Sequence, residues 1–294
     1  MKRGVLYGLG AYLMWGFFPL YFKLLQDVPA TEILGNRIVW SFFFLAGIIT
    51  LRKDWEIMRR TALKPRTLLI YTISACLLAV NWLIYVWGVN AGFIVETSLG
   101  YFINPLLNVV LGVVFLRERL RAWQWVPVGL ATLGVIYLTV NYGQLPWIAL
   151  ALAFSFGMYG LVKKTAPLGS LHGLTLETGI LFLPATLYLL LVANGDTTGS
   201  YTPLTLVLLV GIGVVTAVPL LMFGVAARSI DLSLLGILQY VAPTCQFLLG
   251  VLVFNELFTS VRLVGFSLIW AALIFFWVEG ALHQRKTVLA TASS

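Results

Sequence analysis

Long apolar runs alternate with short polar breaks along almost the whole chain. Ten runs stand out, at 4–24, 30–51, 68–89, 96–116, 122–141, 146–162, 171–193, 202–225, 232–254 and 261–282. A bilayer core of about 30 Å takes roughly 20 residues at 1.5 Å rise each, so every run predicts a membrane-spanning helix. The longest connection, Arg52 to Thr67, has 16 residues. The first run is too long for a signal-peptide core, and Pro19, Tyr21 and Phe22 stand where cleavage would need small residues. It is expected to remain as the first helix. The expected fold class is an all-α integral membrane protein with ten transmembrane helices.

Composition agrees: 60% of the 294 residues are hydrophobic and 10% are charged. A soluble domain of that length could not make a water-facing surface from so few charges. The net charge of +8 raises the question of a polyanionic partner, and its placement answers it. With a cytoplasmic N-terminus, 16 of the 19 lysines and arginines fall at cytoplasmic connections or termini. Arg262 alone falls outside, while Lys23 and Arg37 lie within runs. This is the positive-inside pattern, so no nucleic-acid partner is needed, and both termini are expected in the cytoplasm.

The chain also repeats itself. Pro105 to Glu118 aligns with Pro243 to Glu256 at an offset of 138, with identities at Pro105/Pro243, Leu111/Leu249, Gly112/Gly250, Val113/Val251 and Glu118/Glu256. Two five-helix halves are expected, 1–143 and 144–294, meeting in a short Asn-Tyr-Gly-Gln-Leu-Pro turn. Five is odd, so the second half is reversed across the membrane. Inverted repeats commonly hold a solute near the midplane between them.

Candidate chemistry is sparse. Arg37 and Glu177 are full charges inside apolar runs at an offset of 140. A charge in hydrocarbon costs about 2.5–3.5 kcal/mol on insertion scales, so these two are read as structural or gating charges. A direct pair would offset part of each cost; solute contact or snorkelling are the alternatives. On segment four, Tyr101, Asn104 and Asn108 share a face, with Val109 expected toward lipid; segment nine carries Gln239 and Gln246. Pro105 and Pro243 are expected to kink these helices and free backbone carbonyls. Trp15 with Tyr12 and Pro19, Asn81 with Tyr85, and Tyr159 with Ser155 make further polar-aromatic faces. Such faces suit a flat, partly apolar solute; the alternatives are amide bonds between helices or ordinary packing. Trp82, Trp87, Trp123, Trp125 and Trp147 are assigned to an interfacial belt or to lipid. Cys76 and Cys245 are read as small buried hydrophobes. No cluster has metal-ligand spacing, and no phosphate loop, nucleophile elbow or zinc-protease motif occurs, so no metal, cofactor or catalytic residue is assigned.

The two halves with their matching Pro-to-Glu windows resemble the drug/metabolite transporter superfamily, and its EamA-type branch in particular. The resemblance spans essentially the whole chain. It is carried by Val28-Pro-Ala-Thr-Glu-Ile-Leu, Arg37-Ile-Val-Trp-Ser-Phe-Phe-Phe, Ser98-Leu-Gly-Tyr-Phe-Ile-Asn-Pro-Leu and Ala153-Phe-Ser-Phe-Gly-Met-Tyr-Gly-Leu-Val. It implies a bacterial inner-membrane permease that moves small organic solutes such as drugs, amino acids or metabolites, with export favoured. It also implies a central cavity walled by segments one, three, four, six, eight and nine. Segment eight contributes little polarity beyond Thr216 and the Pro219 kink. A membrane-embedded enzyme or a scaffold or sensor are the competing classes. The former would need an acid–base pair near an interface, the latter a soluble output domain. The partners expected are a small-molecule substrate and the lipid bilayer, with a homodimer left open.

Overall fold

The computed structural model describes residues 2–91, 93–143, 145–193, 201–253 and 260–292. All regular structure among them is helical. The helices are α1 (Lys2–Lys23), α2 (Ala30–Arg52), α3 (Trp55–Ala62), α4 (Pro65–Asn90), α5 (Ile94–Phe115), α6 (Trp125–Tyr142), α7 (Trp147–Thr165), α8 (Ser170–Tyr188), α9 (Pro203–Ser229), α10 (Leu232–Gln239), α11 (Val241–Leu252) and α12 (Ser260–Ala292). Nine stretches among the described residues are long and apolar enough to cross a membrane. The shorter apolar stretch Leu99–Phe115, within α5, accounts for the tenth segment. The chain is a ten-helix, multi-pass membrane protein. Glu256, the connection at 194–200 and the side chain of Arg262 lie outside the described residues.

Two elements depart from the sequence reading. The long connection holds a short amphipathic helix, α3, which buries Met58 and Ala62 against Ile49 and Tyr71 and leaves Arg59 and Arg60 exposed. Segment nine is not one kinked helix but two, broken at Tyr240. Pro243 has no N–H to bond the Gln239 carbonyl four residues back, so α10 ends there and the proline falls in the first turn of α11. Pro105, by contrast, sits within a continuous α5.

Helices far apart in the chain pack against one another. α1 lies against α9, α10 and α11, while α7 lies against α4 and α5. α2 packs on α8, α5 on α10, and α6 on α12. Some of these contacts recur at the repeat offset expected from sequence: α1 on α9 resembles α7 on α4, and α1 on α10 and α11 resembles α7 on α5. Between lipid-solvated helices packing replaces the hydrophobic effect, so small residues mark the closest approaches. Gly236 of α10 is one such place: a Cβ there would lie 2.6 Å from the Pro105 carbonyl oxygen and 2.8 Å from the Asn108 Cβ. The central core gathers Ala11, Tyr12, Leu220, Phe223, Leu235 and Leu238. Large apolar side chains such as Leu51, Phe43 and Leu191 face outward, as a bilayer allows. Cys76 faces outward too, against the expectation of a buried thiol, and Cys245 is half-buried. Val109 is buried rather than lipid-facing; its neighbour Val110 takes that role.

Candidate functional site

A cavity of about 450 Å³ lies among α1, α2, α4, α5, α7, α9, α10 and α11. Tyr12, Trp15, Phe18, Pro19 and Phe22 of α1 form one wall, and Ala30, Ile33, Leu34 and Arg37 of α2 another. α4 supplies Asn81, Trp82, Tyr85 and Val86; α5 supplies Thr97, Gly100, Tyr101 and Asn104. Leu152 and Phe156 of α7, Leu220 of α9, Gln239 of α10, and Ala242 and Gln246 of α11 complete the lining. The cavity reaches the end of the bundle where α1 turns into α2, since Phe22 and Ala30 are in its wall. α9 contributes Leu220 alone, and α2, outside the expected set of walls, contributes four residues.

The structure brings together seven of the residues singled out by spacing: Trp15, Asn81, Tyr85, Tyr101, Asn104, Gln239 and Gln246 all line the cavity. Their amides also bridge helices, so the choice between pathway and helix glue is not exclusive. Asn81 Nδ2 donates to the Leu152 carbonyl and to Ser155 Oγ, both at 2.9 Å. Asn104 Nδ2 donates to the Ala153 carbonyl at 2.8 Å. Gln246 Nε2 donates to the Trp15 carbonyl at 3.1 Å. Buried amides in hydrocarbon need such partners, and the bonds fix each side chain at the wall. The Tyr85 and Tyr101 rings meet edge to face at 5.9 Å, and Trp15 meets Phe156 at 5.8 Å.

Two expected members lie elsewhere. Asn108 is one turn behind Asn104, where its Nδ2 donates to Asn104 Oδ1 and Gln239 Oε1, both at 3.1 Å. It supports the wall without forming part of it. Tyr159 is fully buried and donates to Glu177 Oε2 at 3.3 Å. Trp82 is a correction in the opposite sense. Assigned to the membrane belt, it is instead buried and lines the cavity. Its position one residue from Asn81 and three from Tyr85 placed it on that face. Trp87, Trp123, Trp125 and Trp147 are all exposed.

Arg37 and Glu177 do not pair with each other. Glu177 receives a bond from Ser74 Oγ at 2.6 Å and pairs with Lys163 at 2.8 Å, joining α4, α7 and α8. Lys163, counted as a loop charge by sequence, is thus a buried partner with 4% side-chain exposure. The Nε of Arg37 donates to Thr216 Oγ1 at 3.1 Å, and its guanidinium lies 4.5 Å over the Trp82 ring. Among the described residues no three His, Cys, Asp or Glu side chains form a metal-holding group.

At the opposite end of the bundle, Glu118 ties the end of α5 to α10. Glu118, just beyond α5, accepts the Leu232 N–H at 2.6 Å, the Ser233 N–H at 2.9 Å and the Ser233 hydroxyl at 2.7 Å. Asp231, at the cap position of α10, makes no side-chain cap bond, so Glu118, more than 110 residues earlier, caps that helix. A carboxylate there also suits the helix dipole. Lys164 lies 3.5 Å from Glu118 and also donates to the Ile230 carbonyl. Arg228 donates to the carbonyls of Ala166 at 2.6 Å and Leu168 at 2.8 Å.

A ten-helix membrane bundle with an internal polar-aromatic cavity has the architecture of a transporter. The profile of the EamA-like transporter family matches residues 2–140. The chain is 48% identical to Protein RarD of Streptomyces exfoliatus, over 97% of this chain and 91% of that one. It is 45% identical to the uncharacterized transporter YojE of Bacillus subtilis and 43% identical to Protein RarD of Escherichia coli, over 97% of each chain in both cases. A solved crystal structure of another protein matches with a TM-score of 0.70 at 18% identity, covering 94% of this chain and 96% of its own. At that identity the likeness speaks to fold alone. The chain belongs to the EamA-like transporter family, alongside the RarD proteins.

Proposed function

We propose that this chain is a carrier of the bacterial inner membrane, rather than an enzyme or a scaffold, and that it moves a small organic solute by alternating access. The solute would lie between the halves 1–143 and 144–294, against Trp15, Tyr85, Tyr101, Asn104, Gln239 and Gln246. The observation that carries the reading is the cavity, whose volume of about 450 Å³ falls in the range of small-molecule sites, roughly 300–1,000 Å³. It reaches one end of the bundle, and the Glu118 contacts are read as closing the other. The recurrence of some helix contacts at the repeat offset supports inverted repeats, whose rocking would open the closed end. Arg117, Arg119, Lys164 and Arg228 cluster at the closed end, which is therefore read as cytoplasmic. A cavity facing away from the cytoplasm is a resting state that suits solute release outward, in keeping with export.

The test is counterflow. Purified protein in liposomes preloaded with candidate amino acids, metabolites or chloramphenicol should concentrate the labelled form of its own solute transiently. Absence of counterflow for every solute that binds the cavity would overturn the carrier reading.

A further inference from the structure

Arg37 is held on two sides and left open on a third. Its Nε is committed to Thr216 Oγ1 at 3.1 Å. Its guanidinium lies 4.5 Å from the centre of the Trp82 ring and 5.7 Å from that of Phe22. Its two terminal Nη groups make no hydrogen bond to the described residues. No carboxylate among those residues lies within 4.0 Å of it. The contrast with its neighbours is informative. Lys163 is matched by Glu177, Lys164 by Glu118 and Arg121 by Glu279. Aromatic faces offset only part of the cost of a cation inside a membrane. Among the described residues, the cavity wall to which Arg37 belongs contains no acidic side chain.

We infer that the counter-ion of Arg37 is the solute itself, and that the cavity takes organic acids: a carboxylate joined to an aromatic or apolar body. A guanidinium whose Nε is occupied and whose face is stacked keeps its terminal edge for a planar oxyanion, which it can bind through two parallel hydrogen bonds. Trp15, Phe156, Tyr85 and Tyr101 provide flat surfaces for the body of the molecule. Amide groups of Asn81 and Gln246 provide polar contacts along it. The inference rests on the carrier reading for its biological use, but the binding it describes requires no transport. A competing reading makes Arg37 a strut between α2, α4 and α9, and that reading predicts no preference for anions.

The experiment uses three compounds of nearly equal shape and different charge: 3-phenylpropionate, 3-phenylpropionamide and 3-phenylpropylamine. Binding to the purified full-length protein is measured by calorimetry. Wild type should bind the acid at least tenfold more tightly than the amide, and the amine no better than the amide. Arg37→Gln should erase the difference between acid and amide. Arg37→Lys, which keeps the charge and loses the fork, should bind the acid more weakly and still prefer it. Equal binding of acid and amide, no binding of the acid, or an acid preference surviving in Arg37→Gln would each overturn the inference. If Arg37→Gln does not fold, the wild-type series and Arg37→Lys decide. Counterflow of the same compounds separates the two readings. Acid binding without counterflow would sink the carrier and leave the Arg37 assignment standing. Equal counterflow of acid and amide would do the reverse.

Discussion

Lys163 and Glu177 meet at 2.8 Å in the interior of the bundle, with the carboxylate completely buried. Ser74 and Tyr159 donate to the same carboxylate, so four side chains from α4, α7 and α8 form one unit. The lysine also lies 5.4 Å from the centre of the Tyr159 ring and 5.8 Å from that of Tyr71. Such a unit fixes the mutual positions of three helices without touching the cavity.

Breaking this pair should therefore damage folding rather than solute affinity. Removing one partner of a buried pair costs about 3–5 kcal/mol, because the other charge is left uncompensated. Glu177→Gln and Lys163→Met should each lower the unfolding temperature in detergent strongly. The double variant Lys163→Met/Glu177→Leu should regain much of the loss. A double variant no more stable than the singles would show that the charges are needed for more than mutual neutralisation.

The Glu118 contact should control access at its end of the bundle. Hydrogen bonds to a charged group contribute about 1.5–3 kcal/mol each, so Glu118→Gln weakens the closed state without removing a side chain. A cysteine at Ser233 should then react faster with a membrane-impermeant maleimide applied from the cytoplasmic side. Unchanged labelling would mean the clip is not part of the gate.

Asn108→Leu should lower stability and affect affinity only indirectly, since its amide bonds Asn104 and Gln239 behind the wall. An unpaired buried polar group costs about 1–3 kcal/mol. Gln246→Leu, at the wall itself, should weaken solute binding with a smaller effect on unfolding temperature. Val110→Leu, on the outward face, should change neither. Loss of binding at full stability in Asn108→Leu would return that residue to the cavity wall.

Topology can be tested directly. Reporters fused after Gln284 and within 194–200 should signal from opposite sides, with the first cytoplasmic. Signals from one side would contradict inverted repeats.

The segments were legible because their period is set by the bilayer: runs such as 30–51 and 202–225 admit no other reading. The faces of α4 and α5 were legible because Asn81 and Tyr85, or Tyr101 and Asn104, are spaced at helical intervals. Partner choice was not. The repeat offset aligned Arg37 with Glu177, but matching places in a repeat need not touch. Lys163 reaches Glu177 because α7 and α8 both pack on α4, and Arg37 meets Trp82 across α2 and α4. Neither follows from spacing along one helix. The break at Tyr240 was half legible: Pro243 announced the lost hydrogen bond, but only packing against α5 decides whether a helix bends or ends.

α9 is longer than it needs to be. Its 27 residues span about 40 Å, against a hydrocarbon core of about 30 Å. A helix of that length must tilt, project beyond the hydrocarbon or thicken the lipid around it. Thr216 lies near its middle and holds the Nε of Arg37. Any change in the lean of α9 is thus passed to the one charged side chain in the described wall of the cavity. On the proposed role of Arg37, the acyl-chain length of the surrounding lipid would be an input to solute recognition, and the same polypeptide would be tuned differently in membranes of different thickness.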